Sequence, residues 1–347
     1  MTDLPLAGLR ILDLTRLLPG PLATRHLLEL GAEVLKIEGP ADQGQEDGAR
    51  TMWQTRAEAS AGTPGPFFRE LNDGKQLRTI DLRSAAGRAE LVELARGADA
   101  LIEGFRPGVM DRLGLGHAAL AEVNPRLVYA AITGYGQHGP WSQRAGHDIN
   151  YMAMAGVLEQ IAGPDGGPGL PNFQVADLLG GTQAAVAGVL AALLGAQRSG
   201  RGRFVDVSMT HEVWRHAVVL RTTLAATGGV PAPGRDLLSG GVPCYGVYRT
   251  ADGRHLAFGA LELKFWQRAC DVVGRPQWRE RHHALGLAVG GSEAMTLRDE
   301  LAAILASRPL AHWVPLFDAA DCCVTPVLRA DEARAHALFA DDHTARG

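Results

Sequence analysis

Short apolar runs alternate with amphipathic segments along the first part of the chain. The apolar runs predict β-strands at residues 9–14, 33–37, 78–82, 100–102, 127–132 and 204–207. The segments between them predict helices, among them 20–30, 85–96 and a buried apolar helix at 184–196. Strands that alternate with helices and carry apolar runs indicate a parallel sheet covered on both faces. Right-handed crossovers then give an α/β fold of Rossmann-like layout.

The pattern changes near Gly228. Residues 228–241 are rich in Gly and Pro, which indicates a linker or mobile loop. Beyond it, strands at 244–250 and 255–259 flank an Asp-Gly turn, and helices follow at 264–273, 297–307 and 312–319. The pattern predicts a large Rossmann-like domain at 1–225 and a linker with a small α+β domain at 226–324. Residues 325–347 are expected to return to the large domain.

The composition indicates a soluble globular protein, because 46% of the residues are hydrophobic and 21% are charged. A formal charge of -4 gives no electrostatic footprint for nucleic acid. The run at 184–196 is too short to span a bilayer, and no signal peptide is predicted at the N-terminus. No membrane or nucleic-acid partner is therefore expected.

The spacing of the cysteines bears on cellular location and on metal binding. Cys244, Cys270, Cys322 and Cys323 lack both CxxC and Cys/His ligand spacing, and two of them are adjacent. This pattern favours a reducing, cytoplasmic location. It gives no indication of a structural metal.

The loop after the first strand bears on cofactor choice. It reads Leu18-Pro19-Gly20-Pro21 instead of GxGxxG, and its prolines remove N–H donors that a pyrophosphate needs. A nicotinamide enzyme is therefore disfavoured. Basic residues nevertheless recur at the predicted strand ends, where open α/β sheets bind ligands. They indicate an anionic ligand, the alternative being scattered solvated charge: Arg16, Lys36, Lys75 and Arg106.

Three further residues are candidates for proton chemistry. Asp177 precedes an apolar helical run with Gly180 and Gly181 in its first turn, where it acts either as an N-cap or as a functional carboxylate beside backbone N–H donors. Gly180 would then let a ligand approach the backbone. His147 is either a core histidine or a base in a polar pocket. Glu262 either complements a helix dipole or orients His147.

Together these segments resemble the family III CoA-transferases, the CaiB/BaiF family, which includes the α-methylacyl-CoA racemases. The resemblance covers residues 6–335. It is carried by these landmarks in order: LAGLRILDLTRLLPGP, GAEVLKIE, LIEGFRPGVMDRLGLG, LVYAAITGYGQHGPWSQRAGHDINY, VADLLGG, SGRGRFVDVSM, PCYGVYRTADGRHLAFGALELKFW and TPVL.

The resemblance implies an interlocked homodimer whose large domain binds an acyl-CoA thioester. Because the substrate carries coenzyme A, no separate cofactor is expected. By position, Lys36, Lys75 and Arg106 would face the CoA moiety. Lys75 departs most from the family pattern, since Gln76 and Leu77 stand where relatives carry a basic residue and a serine.

Two chemistries occur in such a family. Transferases use the aspartate that matches Asp177 as a nucleophile. Racemases use the histidine of a GHDINY segment with the same aspartate, aided by a glutamate in a segment like GALELKFW; here these are His147 and Glu262. The sequence therefore predicts a two-base racemase or epimerase of 2-methylacyl-CoA thioesters. The alternatives are a CoA-transferase with covalent Asp177 intermediates, or a non-catalytic CoA-ester binding protein.

Overall fold

The computed structural model describes residues 4–163 and 167–339. The described chain forms two compact units. The first contains residues 4–158 and Leu170–Val219. The second contains residues 159–163, 167–169 and 220–339.

One parallel sheet forms the centre of the first unit. Its strands are β1 (Arg10–Leu14), β2 (Glu33–Glu38), β3 (Gln76–Thr79), β4 (Ala100–Glu103), β5 (Val128–Thr133) and β6 (Phe204–Ser208). The spatial order is β3-β2-β1-β4-β5-β6, with Leu12 of β1 beside Leu35 on one side and Leu101 on the other. This doubly wound order places a topological switch point between β1 and β4. The predicted Rossmann-like α/β fold is confirmed.

Helices cover the sheet and connect its strands. Those beginning in the first unit are α1 (Pro19–Glu29), α2 (Arg56–Ser60), α3 (Pro66–Asn72), α4 (Ala85–Arg96), α5 (Val109–Arg112), α6 (His117–Val123), α7 (Asp148–Met154), a π-helix (Ala176–Gln183), α8 (Ala184–Ser199), α9 (Met209–His216) and α10 (Val218–Thr227). Pro19 opens α1, where its missing N–H costs nothing. The Ser84 hydroxyl caps α4 by accepting from the Gly87 N–H at 2.9 Å.

The apolar helix that includes 184–196 is longer than predicted, because the π-helix runs directly into α8. The resulting stretch Ala176–Ser199 is long and apolar enough to cross a membrane by length and composition alone. It packs against β5, β6 and α1. A core helix of a soluble protein meets the same criterion.

The second unit is built on an antiparallel sheet. Its strands are β7 (Tyr245–Arg249), β8 (His255–Gly259) and β9 (Val324–Pro326), in the order β7-β8-β9. Its helices are α11 (Leu263–Val272), α12 (Ser292–Leu305), α13 (Leu310–Ala320) and α14 (Ala330–Ala335), with short 3₁₀ turns at Pro276–Trp278 and His283–Leu285. The core includes Trp266, Leu297, Leu301 and Phe317, each at most 1% exposed.

The predicted return of residues 325–347 to the large domain is corrected for the described part of that segment. β9 pairs with β8, and Arg254 beside β8 forms an ion pair with Glu332 of α14 at 2.7 Å. These contacts hold residues 325–339 in the second unit. Residues 340–347 lie outside the described chain.

The third strand, β3, spans Gln76–Thr79, so it begins two residues and ends three residues before the predicted strand at 78–82. β3 lies at the sheet edge and its four residues are exposed. The prediction extended too far because Ile80 is apolar. Ile80 is buried just beyond the strand, where its N–H donates to the Glu38 carbonyl.

Candidate active site

A cavity of about 500 Å³ opens at the carboxyl ends of the central strands of the first unit. Segments that follow β1, β4 and β5 line it, at the switch point where α/β sheets bind ligands. His147 and Asp177, separated by thirty positions in the chain, both lie on its wall. Arg16 and Arg106 line the same cavity. The structure thus brings four predicted site residues together.

Asp177 lies in the first turn of the π-helix, in a half-buried position. Burial, followed by the charge of Asp148, raises the pKa of Asp177 to about 7. A carboxyl group with this pKa exists in both protonation states near neutral pH, as a proton-transfer group requires. π-helical turns occur frequently at functional sites.

Asp148, and not Asp177, supplies the side-chain cap at the start of the π-helix. Its Oδ1 accepts from the backbone N–H of Ala176 at 2.6 Å and of Asp177 at 3.0 Å. The N-cap interpretation of Asp177 is therefore wrong. Since Asp148 already occupies these two N–H groups, they do not serve an oxyanion in this structure.

Gly180 requires a second correction. It is buried beneath α9, and a Cβ placed there would lie 2.6 Å from the carbonyl oxygen of Met209. Gly181 is similarly confined, since its Cβ would lie 2.6 Å from Cβ of Pro19. These glycines permit close packing of α9 and α1 on the π-helix, so approach of a ligand does not explain them.

The segment around His147 is held by local contacts. His147 is exposed and precedes α7, and its backbone N–H donates to Oδ1 of Asn150 at 3.0 Å. The Tyr151 hydroxyl donates to the carbonyl of Gly146, and the Tyr151 ring packs edge-on against Tyr135 at 5.2 Å. Burial and the charge of Asp177 raise the pKa of Tyr151 to about 12, so its hydroxyl remains a donor. His147 therefore stands on an ordered turn.

Three exposed arginines give the cavity a positive wall. Nη2 of Arg16 donates to the Gln45 carbonyl at 2.7 Å, and Nη1 of Arg106 donates to the Gln143 carbonyl at 3.0 Å. Arg144 lies over the Trp141 ring at 5.7 Å. Arg144 was not predicted, because it lies in an irregular loop between β5 and α7 where strand-end reasoning does not apply.

Two smaller cavities adjoin residues of this site. One of about 320 Å³ is lined by Arg16, Phe105 and Arg83. The other, of about 300 Å³, is lined by His147 together with the apolar Ile149, Leu170 and Pro171. Leu170 and Pro171 are the last two residues of a Gly- and Pro-rich segment, 162–171, of which residues 164–166 lie outside the described chain.

Lys36 and Lys75 differ from their predicted places on the ligand-binding surface. Both side chains are fully buried. Lys36 Nζ lies 3.0 Å from Asp47 Oδ2, and Lys75 Nζ lies 3.0 Å from Asp13 Oδ2. Their ammonium groups neutralise buried carboxylates and are not presented to a CoA phosphate in this structure.

These ion pairs organise the loop after β1. The Asp13 carboxylate also accepts from the hydroxyls of Thr15 and Thr24, and Lys36 Nζ donates to the Thr15 carbonyl at 2.9 Å. Burial alone would raise the pKa of Asp13, but Lys75, Lys36 and the hydroxyls lower it on balance. Burial lowers the pKa of Lys75 to about 8 despite Asp13.

The same loop contains a strained residue on the cavity wall. Leu17 has a φ of 64°, which is unusual for a residue with a branched side chain. Asp47 holds this conformation, because its Oδ1 accepts the Leu17 N–H at 2.9 Å. In the loop after β4, the buried Glu103 accepts from the N–H of Phe105, which also lines the cavity, at 2.6 Å. Buried carboxylates thus fix both loops.

Glu262 belongs to the second unit. It is exposed and lies at the N-cap of α11, where its carbonyl accepts from the backbone N–H of Phe265 and Trp266. Its expected role beside His147 stays a prediction.

Comparisons with known proteins agree with this architecture. Residues 6–346 match the model of CoA-transferase family III. The human α-methylacyl-CoA racemase is 32% identical over 95% of this chain and 80% of its own length. The acetyl-CoA:oxalate CoA-transferase of Acetobacter aceti is 34% identical over 95% of this chain and 82% of its own.

Solved structures give the same result. The Rv3272 protein of Mycobacterium tuberculosis has a TM-score of 0.79 and 31% identity, covering 97% of this chain and 87% of its own. A CaiB/BaiF family protein from Brucella suis has a TM-score of 0.80 and 25% identity, with coverages of 97% and 88%. The chain belongs to CoA-transferase family III, and it is an enzyme of the family's CoA-transferase and racemase type.

Proposed function

We propose that this protein is a racemase or epimerase of 2-methylacyl-CoA thioesters. The observation that carries the proposal is the shared cavity of His147 and Asp177, in which Asp177 has a pKa of about 7. A two-base reaction needs one group that accepts a proton and another that delivers one. An imidazole and a carboxyl group that is partly protonated at neutral pH meet this requirement.

In the proposed reaction, neutral His147 removes the α-proton from one face of the thioester. The electron pair moves into the enolate, whose oxygen carries the negative charge. Protonated Asp177 then delivers its proton to the opposite face of the α-carbon. His147 ends as imidazolium and Asp177 as carboxylate, which is the state that converts the opposite enantiomer. Each turnover therefore begins with one proton on the pair and ends with a proton on the other group.

The enolate needs electrostatic stabilisation. The backbone at Asp177 and Gly180 does not supply it, because Asp148 accepts the Asp177 N–H and Gly180 is buried beneath α9. The N-terminus of α1 borders the cavity through Pro19 and Gly20. The dipole of this helix favours negative charge at that end. Arg106 and Arg144 add positive charge to the same cavity.

The surrounding cavities support binding of an acyl-CoA ester. The arginines around the two polar cavities, Arg16, Arg83, Arg106 and Arg144, suit phosphate groups. The apolar cavity beside His147 suits the acyl chain. In this proposal the substrate itself brings coenzyme A, and no additional cofactor takes part in the proton transfer.

Proton exchange with solvent tests the reaction. A single enantiomer of a 2-methylacyl-CoA is incubated with the enzyme in deuterated water. We expect deuterium at the α-carbon together with loss of optical purity, and the loss of optical purity should be abolished in Asp177→Asn. Arg201→Gln, an exposed change outside the cavity lining, serves as the control. Retention of every α-proton would contradict the proposal.

A CoA-transferase is the second candidate, favoured by the half-buried carboxylate of Asp177 on the cavity wall and by the similarity to CoA-transferases. In that reaction the Asp177 carboxylate attacks the thioester carbonyl, forming an acyl anhydride and expelling CoA thiolate. Hydroxylamine trapping of Asp177 in the presence of a second carboxylic acid detects this intermediate. His147→Ala should abolish racemisation while leaving a transferase largely active.

Glu262 and the dimer extend the proposal. We propose that Glu262 steadies the charged form of His147, as the GALELKFW segment implies by its resemblance to the family. Glu262→Gln should then shift the pH dependence of racemisation while Glu280→Gln does not. We further propose that two chains form a homodimer.

A further inference from the structure

Three side chains with metal-binding atoms meet in the second unit: Cys244, just before β7, and His282 and His283, at the 3₁₀ turn that follows Trp278. Their ligand atoms all lie within 4.8 Å of one another. Cys244 Sγ is 3.8 Å from His283 Nδ1. The cluster is not recognisable from the sequence, because the cysteine and the histidine pair are far apart along the chain.

The distance between Cys244 Sγ and His283 Nδ1 is close to what a tetrahedral ion requires. Zn²⁺ binds sulfur at about 2.3 Å and imidazole nitrogen at about 2.0–2.1 Å, which places a sulfur and a nitrogen ligand roughly 3.6 Å apart. The observed 3.8 Å between Cys244 Sγ and His283 Nδ1 is close to that value. Small side-chain rotations would therefore complete the coordination.

His282 provides an independent observation. It is 1% exposed, and within the described chain its Nε2 has no partner in hydrogen-bond geometry, although the Leu261 backbone lies close enough to interact with the ring. Its Nδ1 accepts from the Ala284 N–H at 3.2 Å, so Nε2 carries the proton of the neutral ring. A buried N–H without a partner is unfavourable. A metal ion bound to His282 Nε2 would supply the missing partner. The ring proton would then move to Nδ1, and the 3.2 Å hydrogen bond from the Ala284 N–H would be lost.

The ligands sit in an ordered environment. Cys244 is 1% exposed and packs in the core that contains Trp278 and Leu287. The backbone carbonyl of His282 accepts from the N–H groups of Leu285 and Leu287. His283 is only half-buried, which leaves a side from which an ion can enter.

Together these observations support a metal-binding site in the second unit. We propose that Cys244, His282 and His283 bind one Zn²⁺ ion, with water as the fourth ligand. The ion ties the start of β7 to the His283–Leu285 turn and stabilises the second unit. Binding replaces the thiol proton of Cys244 with a metal–sulfur bond and releases that proton to solvent.

Calorimetry on the full-length, untagged protein after chelator treatment tests the site. We expect one Zn²⁺ per chain, release of about one proton, and a higher thermal midpoint on Zn²⁺ addition. Co²⁺ should give a sulfur-to-metal charge-transfer absorption. His283→Gln should weaken Zn²⁺ binding by about 100-fold while retaining the fold, since the side chain is half-exposed. Cys244→Ser should remove the charge-transfer absorption.

Matched controls are His312→Gln, an exposed histidine of the same unit, and Cys270→Ala, a buried cysteine outside the cluster. Both should bind Zn²⁺ as the unchanged protein does. Substoichiometric binding to the unchanged protein would overturn the assignment. So would equal affinity in folded His283→Gln. Because the readouts are binding and spectra, they are independent of the proposed racemase activity.

Discussion

At the scale of single residues, two carboxylates with different environments lie at the candidate active site. Asp148 accepts two backbone N–H groups at the start of the π-helix. Asp177 is half-buried on the cavity wall and has its pKa raised to about 7 by burial and by Asp148. One carboxylate therefore orders the backbone, and its charge helps to keep a proton on the other.

The raised pKa of Asp177 predicts a trade-off between activity and stability. The folded protein holds this proton up to about pH 7, whereas the unfolded chain releases it near pH 3.8. Ionisation therefore destabilises the fold increasingly from pH 3.8 to 7 and constantly above. Asp177→Asn should raise the free energy of unfolding at pH 8 by about 1–2 kcal/mol, after discounting for partial solvent exposure.

Urea unfolding at pH 8 and pH 5 measures this effect, which should be smaller at pH 5. The exposed Asp42→Asn should change neither value. Racemisation by Asp177→Asn should fall by about 10³-fold or more. A variant destabilised equally at both pH values would contradict the assigned protonation of Asp177.

Asp148→Asn separates charge from hydrogen bonding. The amide oxygen still accepts from the backbone, but the negative charge is gone, so the pKa of Asp177 should fall. We expect the pH profile of kcat/KM to move by roughly 0.5–1 pH unit toward acid. Asp148→Ala should additionally lose about 1 kcal/mol of stability, because the two N–H groups lose their acceptor. An unmoved profile in Asp148→Asn would argue against coupling of the two carboxylates.

His147 and Asp177, which both line the cavity, stand out in the sequence because each is chemically distinctive in a short polar context. Sequence reasoning missed Asp148, whose role depends on the π-helix being folded against it. It also misassigned Lys36 and Lys75. Lys36 lies inside β2 and Lys75 immediately before β3, and both side chains turn inward to pair with buried carboxylates. For these lysines, the deciding partners Asp13 and Asp47 are set by tertiary packing.

At the scale of elements, the loop between β1 and α1 depends on the network beneath it. Asp47 bridges two distant pieces of chain, accepting from the Leu17 N–H and from Lys36 Nζ. This acceptor stabilises the left-handed backbone of Leu17. The cavity wall is therefore positioned by residues that do not line it.

Removal of the Asp47 carboxylate should be costly. Asp47→Ala leaves a buried ammonium at Lys36 without its counter-ion and should lower the free energy of unfolding by about 3–5 kcal/mol. The double variant Lys36→Met/Asp47→Leu removes both charges and should recover part of that loss. Urea unfolding measures both variants. A double variant no more stable than Asp47→Ala would show that the Leu17 contact, and not the ion pair, dominates.

At the scale of the molecule, the doubly wound sheet was predictable because β4 and β5 are buried along their whole length and read as apolar runs. The placement of the chain after residue 325 was not predictable in this way. Its membership in the second unit depends on pairing of β9 with β8, a three-residue strand that leaves little trace in the hydrophobic pattern. Long-range pairing of short strands is where a local pattern stops being informative.

The proposed homodimer predicts an effect for α10. This helix is apolar, yet Val218, Val219 and Leu224 are 61%, 47% and 43% exposed in the single chain. An apolar surface of this kind is typical of subunit contacts. Light scattering should give about twice the mass of one chain, and Val218→Glu should shift the equilibrium toward monomer because association would bury the charge. Val289→Glu, at another exposed valine, is the matched control. A monomer at every concentration, or equal effects of both changes, would exclude α10 as a dimer contact.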